Sequence, residues 1–427
     1  MRLQGRGLWQ NPDFLKLWGA YSTSGLGSNL ASLAYSLTAV ITLQASAMEV
    51  GLLGAAGPAA SGLVGLLAGV IVDRVSRKPL LIVSDLVRAV LALTIPAAYI
   101  LGILRIEQLY VVAFLTGIFS IVADVGIMAY IPALAKKDEL IEANSKFAMT
   151  DSANLIAGTS VSGVLVQALT APIAIIVDAC SFVLSALLLL TIRRPELHAA
   201  AAREDRQSIR KDIVEGLRFV YGNRILRPLA EELALYFYFI FIFIPIFNLY
   251  AVRELGFEPV LLGVVISMIG VGFLVSALAV KRITASFGIG RTMIGGGVVT
   301  AIALFLMPLQ GNTRVATVAI LIAAHFLLAL GIQAGAINLM SLRQAITPGR
   351  LQGRMNASFR FVNVCMTMLG SLTAGILGET IGLRATLLVA ACGMLLPFLR
   401  LFFSPVRQLR QHIPDDEEKI DFANPLG

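Results

Sequence analysis

The sequence predicts an all-α integral membrane fold of twelve transmembrane helices in two pseudo-symmetric six-helix bundles. Three observations predict it: apolar runs of bilayer-spanning length recur along the chain, basic residues gather in alternate loops, and the two halves echo each other at a nearly constant offset.

The apolar runs come first. Of 427 residues, 57% are hydrophobic and only 14% charged, more apolar surface than a soluble core needs, so the excess is expected to face lipid. About twenty apolar residues cross the hydrocarbon as a helix. Runs of that length are read at 14–43, 48–72, 79–103, 108–134, 147–169, 171–192, 229–252, 260–280, 292–310, 315–341, 359–378 and 384–403, hereafter spans 1 to 12. The first is too long for a signal peptide and has no evident cleavage site. The organisation expected is therefore an N-terminus at 1–13, bundles at 14–192 and 229–403, a linker at 193–228 and a tail at 404–427.

A net charge of +8 raises the question of nucleic acid, and the placement of the charge answers it. Arg74, Arg77 and Lys78 follow span 2; Lys136, Lys137 and Lys146 follow span 4; nine basic residues lie from Arg193 to Arg227; Lys281, Arg282 and Arg291 follow span 8; Arg343, Arg350, Arg354 and Arg360 surround the start of span 11. The intervening loops hold almost none beyond Arg105, Arg253, Arg314 and Arg384. Such asymmetry is the positive-inside pattern, which places both termini in the cytoplasm and leaves no need for a nucleic-acid partner. In the linker, Ile209, Ile213, Leu217 and Val220 recur at helical spacing opposite Arg210, Lys211 and Arg218, an amphipathic segment expected to lie along the cytoplasmic membrane surface.

The third observation is duplication. Asp73-Arg74 after span 2 matches Lys281-Arg282 after span 8, 208 residues on; Pro132 and Asn144-Ser-Lys-Phe147 match Pro348 and Asn356-Ala-Ser-Phe359, 216 and 212 residues on. Equivalent loops at similar offsets point to repeated halves around a central cleft. No chemistry competes with this reading: Cys180, Cys365 and Cys392 lie in apolar runs without ligand spacing and read as buried and free, and the three histidines are dispersed. No metal, cofactor or enzymatic activity is expected.

One loop carries more than charge. Gly69-Val-Ile-Val-Asp73-Arg74-Val-Ser-Arg77-Lys78 resembles the signature between helices 2 and 3 of the major facilitator superfamily. Gly69 permits close helix approach, Asp73 suits the positive end of a facing helix, and Arg74, Arg77 and Lys78 suit acidic groups, a gating latch. Asp85-Leu-Val-Arg88, Ile131-Pro132 with Leu140-Ile-Glu-Ala-Asn144, Asp178-Ala-Cys-Ser-Phe182, Glu215-Gly-Leu-Arg-Phe219, and Gln344-Ala-Ile-Thr-Pro348 with Gly353-Arg354 narrow the likeness. Together they resemble the branch containing macrolide-efflux proteins and the enterobactin exporter. The resemblance runs from Asn11 to about Phe403 and implies a proton-driven exporter of drugs, siderophores or similar compounds from the bacterial inner membrane. Two departures stand out. Gly158-Thr-Ser-Val-Ser-Gly163 in span 5 lacks the proline such exporters often carry, and span 4 lacks an embedded arginine.

A charge at mid-bilayer costs roughly 2.5–3.5 kcal/mol, so each intramembrane acid needs a partner, a cavity or a proton. Asp85 and Arg88, three apart, are expected to pair for structure. Asp124 shares a span 4 stripe with Thr116 and Ser120 and is either a coupling or substrate-binding acid or a buried structural one; Asp151 and Asp178 are further proton-coupling candidates, with interfacial and capping roles as their alternatives. Span 7 offers Tyr236, Tyr238, Tyr250 and Asn248, and span 10 His325 and Gln333, as substrate-cavity residues, with lipid-facing aromatics and a histidine bonded to a neighbouring helix as the alternatives, whereas Glu231 and Glu232 read as lying near the cytoplasmic start of span 7. The expected protein is a monomer whose partners are a small amphipathic molecule, protons and the lipid bilayer, working by alternating access. A lipid or metabolite carrier of the other direction and a non-transporting sensor are the rivals.

Overall fold

Polar side chains mark the starts of several helices. In a computed structural model of the chain, describing residues 8–136, 139–193, 209–348 and 351–409, helix α1 (Pro12–Leu37) opens on Asn11, whose side chain accepts from the Phe14 N–H at 3.1 Å. Pro12 occupies the first turn, where its missing N–H costs nothing, and Asp13 sits at the positive end of the helix dipole. Helix α2 (Ala47–Arg74) starts at a reciprocal cap: the Glu49 N–H donates to Ser46 Oγ at 3.2 Å and the Ser46 N–H to Glu49 Oε2 at 2.7 Å. The side chains of 66–71, 73, 74, 141 and 209–213 lie outside the described residues.

Helices α3 (Arg77–Ile100), α4 (Ile106–Leu134) and α5 (Leu140–Leu169) are continuous. Span 6 is not. It divides into α6 (Ala171–Ala174) and α7 (Ile176–Leu190), and span 12 likewise into α14 (Leu383–Gly393) and α15 (Leu395–Phe402). In the latter, Pro397 cannot donate to the Gly393 carbonyl, which ends the first segment there. Nothing in the sequence explains the break at Ile175. Between these come α8 (Ile209–Gly222), α9 (Leu226–Arg253), α10 (Pro259–Phe287), α11 (Ile289–Leu306), α12 (Arg314–Ile346) and α13 (Gln352–Thr380).

Eleven stretches of the described residues are long and apolar enough to cross a membrane. Helix α1, 26 residues long, is diluted by its polar run from Ser22 to Asn29 and completes the twelve. The duplication reaches backbone detail. Thr170, before α6, has φ 86°, ψ 154°; Gly382, before α14 and 212 residues later, has φ 86°, ψ 163°.

The chain forms two compact units: Met1–Ala45 with Ala56–Asp205 and Leu255–Ser267, and Ser46–Ala55 with Arg206–Glu254 and Met268–Gly427. Each is thus completed by a helix start from the other half of the sequence. In the second unit, a Cβ placed on Gly51 of α2 would stand 2.6 Å from the Ser371 carbonyl oxygen and 2.9 Å from Gly375 Cα on α13. In the first, a Cβ on Gly263 of α10 would stand 2.8 Å from the Thr159 carbonyl oxygen and 3.1 Å from Gly163 Cα on α5. Backbones approach this closely only where side chains are absent, the usual device for helix association in a solvent that offers no hydrophobic drive.

In the first unit a cluster including Leu8, Phe14, Leu17, Leu134, Ala143 and Phe147 gathers the start of α1, the end of α4 and the start of α5, and the Asn11 side chain donates to the Leu134 carbonyl at 2.8 Å. The second unit has a counterpart around Val220, Leu229, Met293, Leu342, Phe359 and Leu401. Val220 brings α8 into that core. Gly216 seats α8 on α13, where a Cβ would meet the Arg354 carbonyl oxygen at 2.5 Å, and Glu215 accepts from Arg354 at 2.6 Å. Among the described residues of α8, Val220 is thus packed on protein, while Val214 is exposed. Ile209, Ile213, residues 194–208 of the linker and the tail from 410 lie outside the described residues.

Candidate functional site

Because the start of α1, the end of α4 and the start of α5 share one core cluster, depth can be counted from that common level. Tyr21, Asp124 and Asp151 lie nine, ten and eleven residues from Pro12, Leu134 and Leu140, about 15 Å each at 1.5 Å per residue. That is about a third of the length of α4 and α5. The Tyr21 hydroxyl donates to Asp151 Oδ1 at 2.5 Å, and Asp124 lies within electrostatic reach of Tyr21. The ring is held in place by Phe147, with centroids 4.7 Å apart, and the preceding turn by the Trp18 indole donating to Thr150 Oγ1 at 2.9 Å.

Both acids are exposed. A carboxylate turned to lipid within the hydrocarbon costs roughly 2.5–3.5 kcal/mol, a cost that a polar space beside Asp124, Asp151 and half-buried Ser120 would remove.

Asp178 does not join them. It is sealed in the first unit near a second charged group: the Arg88 guanidinium pairs with Asp85 Oδ1, Ser185 Oγ donates to Asp85 Oδ2 at 2.6 Å, and Arg88 lies 4.3 Å from the centroid of Phe182. Asp178 feels both Asp85 and Arg88, yet its Oδ1 is shielded from solvent and has no hydrogen-bond partner. The Tyr35 hydroxyl, within electrostatic reach of Asp178, is likewise shielded and unpartnered. Gly27 permits this proximity, since a Cβ there would stand 3.0 Å from Asp178 Oδ1 and 1.9 Å from Ser181 Oγ.

Of the loop after α2, the side chains of Gly69, Asp73 and Arg74 lie outside the described residues. Lys78 is engaged within its own unit, donating to the carbonyl oxygens of Leu190 at 2.9 Å and Ile192 at 2.7 Å. It thereby caps the negative end of α7, a favourable place for a cation. Arg77 is half-buried beside it in sequence and has an interaction of its own.

In the second unit Tyr236 and Tyr238 are half-buried on α9, with the Tyr238 hydroxyl 3.1 Å from Thr373 Oγ1. Asn248 and Gln333 are also half-buried. His325 and Tyr250 are buried. His325 is 3% exposed, its Nδ1 2.8 Å from the Leu321 carbonyl oxygen and its ring tilted on Phe247 at 4.8 Å, the packing role that is its alternative reading. Tyr250 is fully buried, its hydroxyl donating to the Pro308 carbonyl at 3.4 Å. Cys180 and Cys392 are exposed on their spans and Cys365 half-buried, free but not the buried thiols expected.

The site residue that sequence reasoning passed over is Glu232. Its neighbour Glu231 accepts from Arg227 at 2.9 Å and from Arg400 at 2.5 Å, as a carboxylate near a helix start should. One position on, Glu232 Oε2 is shielded from solvent and has no hydrogen-bond partner. The available signal was its spacing of four from Tyr236.

A family model described as transmembrane secretion effector matches residues 9–426. The chain belongs to that family, within the major facilitator superfamily. This facilitator is 26% identical over 407 residues to the "Multidrug efflux pump Tap" of Mycolicibacterium fortuitum, covering 93% of this chain and 96% of that protein. It is 24% identical over 386 residues to the "Uncharacterized MFS-type transporter YfiS" of Bacillus subtilis (strain 168), covering 88% and 89%. Its fold is that of the nucleoside transporter NupG (TM-score 0.73, 14% identity, 92% of this chain and 99% of that one) and of a D-xylose-proton symporter (TM-score 0.70, 17% identity, 92% and 98%). Family and fold are those of multi-pass membrane transporters for small molecules, not of enzymes.

Proposed function

We propose that this facilitator is a proton-coupled exporter of a small amphipathic molecule, drug-like, macrolide-like or siderophore-like, working by alternating access as a monomer in a bacterial inner membrane with both termini cytoplasmic. The observation that carries it is the pair of exposed carboxylates, Asp124 and Asp151, one within electrostatic reach of the Tyr21 hydroxyl and the other bonded to it. Such a group meets the requirement of coupling: carboxyls that water can reach and whose protonation changes the charge carried through the cycle. Asp178 is a second proton-holding position in this reading, since it and Asp85 face a single guanidinium. The efflux name of the Tap relative favours the outward direction, and the alternate basic loops favour the cytoplasmic termini. Gly69, Asp73, Arg74, Arg77 and Lys78 keep the gating role that the signature loop implies.

The test is expression in an efflux-deficient bacterium, following accumulation of dyes and a panel of antibiotics with and without an uncoupler. Uncoupler-sensitive extrusion of at least one compound, lost in Asp124→Asn at unchanged membrane abundance, is expected. Undiminished proton-driven extrusion by that variant removes Asp124 from coupling, and no extrusion across the panel removes export.

A further inference from the structure

Glu232 is a carboxylate inside a membrane-spanning helix with one oxygen shielded from water and nothing bonded to it. Among the described residues no basic side chain lies within its electrostatic reach; the only titratable group that feels it is Tyr236, one turn along α9. The contrast with Glu231 is informative, because two arginines sit within 2.9 Å of that adjacent residue and neither serves Glu232. An uncompensated carboxylate in such surroundings costs several kcal/mol and persists where function requires it.

The stretch of α9 that follows it is aromatic. Tyr236 and Phe237 meet edge to face at 5.4 Å, Phe237 stacks with Phe241 at 6.2 Å, and all three are half-buried, leaving ring surface accessible. An anion beside ring surface is the chemistry that recognises an organic cation: the carboxylate supplies countercharge, the ring quadrupole attracts the same positive group, and flanking rings receive its apolar body. A bare metal ion fits poorly, since hard cations need six or more oxygen ligands and this place offers a carboxylate and a phenol.

We propose that Glu232, with Tyr236 and Phe237, is the binding point for the positive group of an amphipathic organic cation. The proposal rests on the transporter reading above and narrows its substrate class to molecules carrying a protonated amine or similar centre on an apolar frame.

The experiment uses the purified full-length protein and tetraphenylphosphonium as probe, with binding followed by equilibrium dialysis. Native protein is expected to bind the probe saturably, Glu232→Gln to bind at least tenfold more weakly, and Glu232→Asp, which keeps the charge, to stay within about threefold of native. On native protein the probe is expected to slow modification of Glu232 by a hydrophobic carbodiimide several-fold, read by peptide mass spectrometry, a measurement independent of any variant's folding. Absence of saturable binding, equal binding by Glu232→Gln, or labelling indifferent to the probe overturns the proposal. Binding through Glu232 without uncoupler-sensitive extrusion of the probe from cells leaves this site standing and removes export. Extrusion that Glu232→Gln leaves unchanged does the reverse.

Discussion

Tyr21 and Asp151 are joined by a hydrogen bond between α1 and α5, hydroxyl to carboxylate at 2.5 Å. A bond to a charged acceptor is worth about 1.5–3 kcal/mol, and its donor is the only group lost in Tyr21→Phe. Asp151 is exposed and regains water, so folding is expected to be spared while uncoupler-sensitive extrusion falls about tenfold. Initial extrusion rates in cells matched for membrane abundance check this; unchanged rates remove Tyr21 from the coupling group.

Thr170 occupies a backbone region that is essentially restricted to glycine, at a cost of order 1–3 kcal/mol, whereas the equivalent turn of the second half uses Gly382. Thr170→Gly is expected to raise thermal stability in detergent and Gly382→Thr to lower it. Equal melting temperatures for native protein and both variants contradict the equivalence.

Asp85 holds a buried arginine. Asp85→Ala leaves Arg88 without its ion-pair partner and is expected to destabilise the first unit by about 3–5 kcal/mol, while Asp85→Leu combined with Arg88→Leu costs far less because no lone charge remains. Thermal unfolding of the purified variants reads both, and a double variant no better than the single one refutes the ordering.

Seating of α8 on α13 offers a contrast of magnitudes. The Glu215–Arg354 pair is substantially exposed, so Glu215→Ala is expected to cost about 0–1 kcal/mol. Gly216→Leu drives a side chain into the Arg354 carbonyl and is expected to unseat the helix. Limited proteolysis between spans 6 and 7 should quicken strongly in the glycine variant and little in the other.

What the sequence made legible was whatever repeats or accumulates. Apolar length located the spans, although helices such as α5, α10 and α13 run seven residues beyond an expected end, and the 212-residue offset that relates Asn144 to Asn356 also relates Thr170 to Gly382. Which way a side chain faces was less legible, because neighbours distant in the chain decide it. Asp124 and Asp178 look alike as acids within apolar runs, yet one is exposed and the other sealed by Gly27 of a different helix. His325 resembles a cleft residue until Phe247 closes over it. Glu231 and Glu232 differ by one position and about 100° of helix rotation, and the arginines that satisfy the first, Arg227 one turn back and Arg400 on α15, leave the second unsatisfied.

The pairing of Asp85 with Arg88 also bears on how the protein is made. Both charges belong to α3, three residues apart, so the span carries its own counter-ion out of the insertion channel and does not have to wait for α7 to arrive with Ser185. Each charge entering lipid alone would oppose insertion by roughly 2.5–3.5 kcal/mol. Bound to each other they enter as a dipole, and the later helix has only to complete a bond to a group already neutralised.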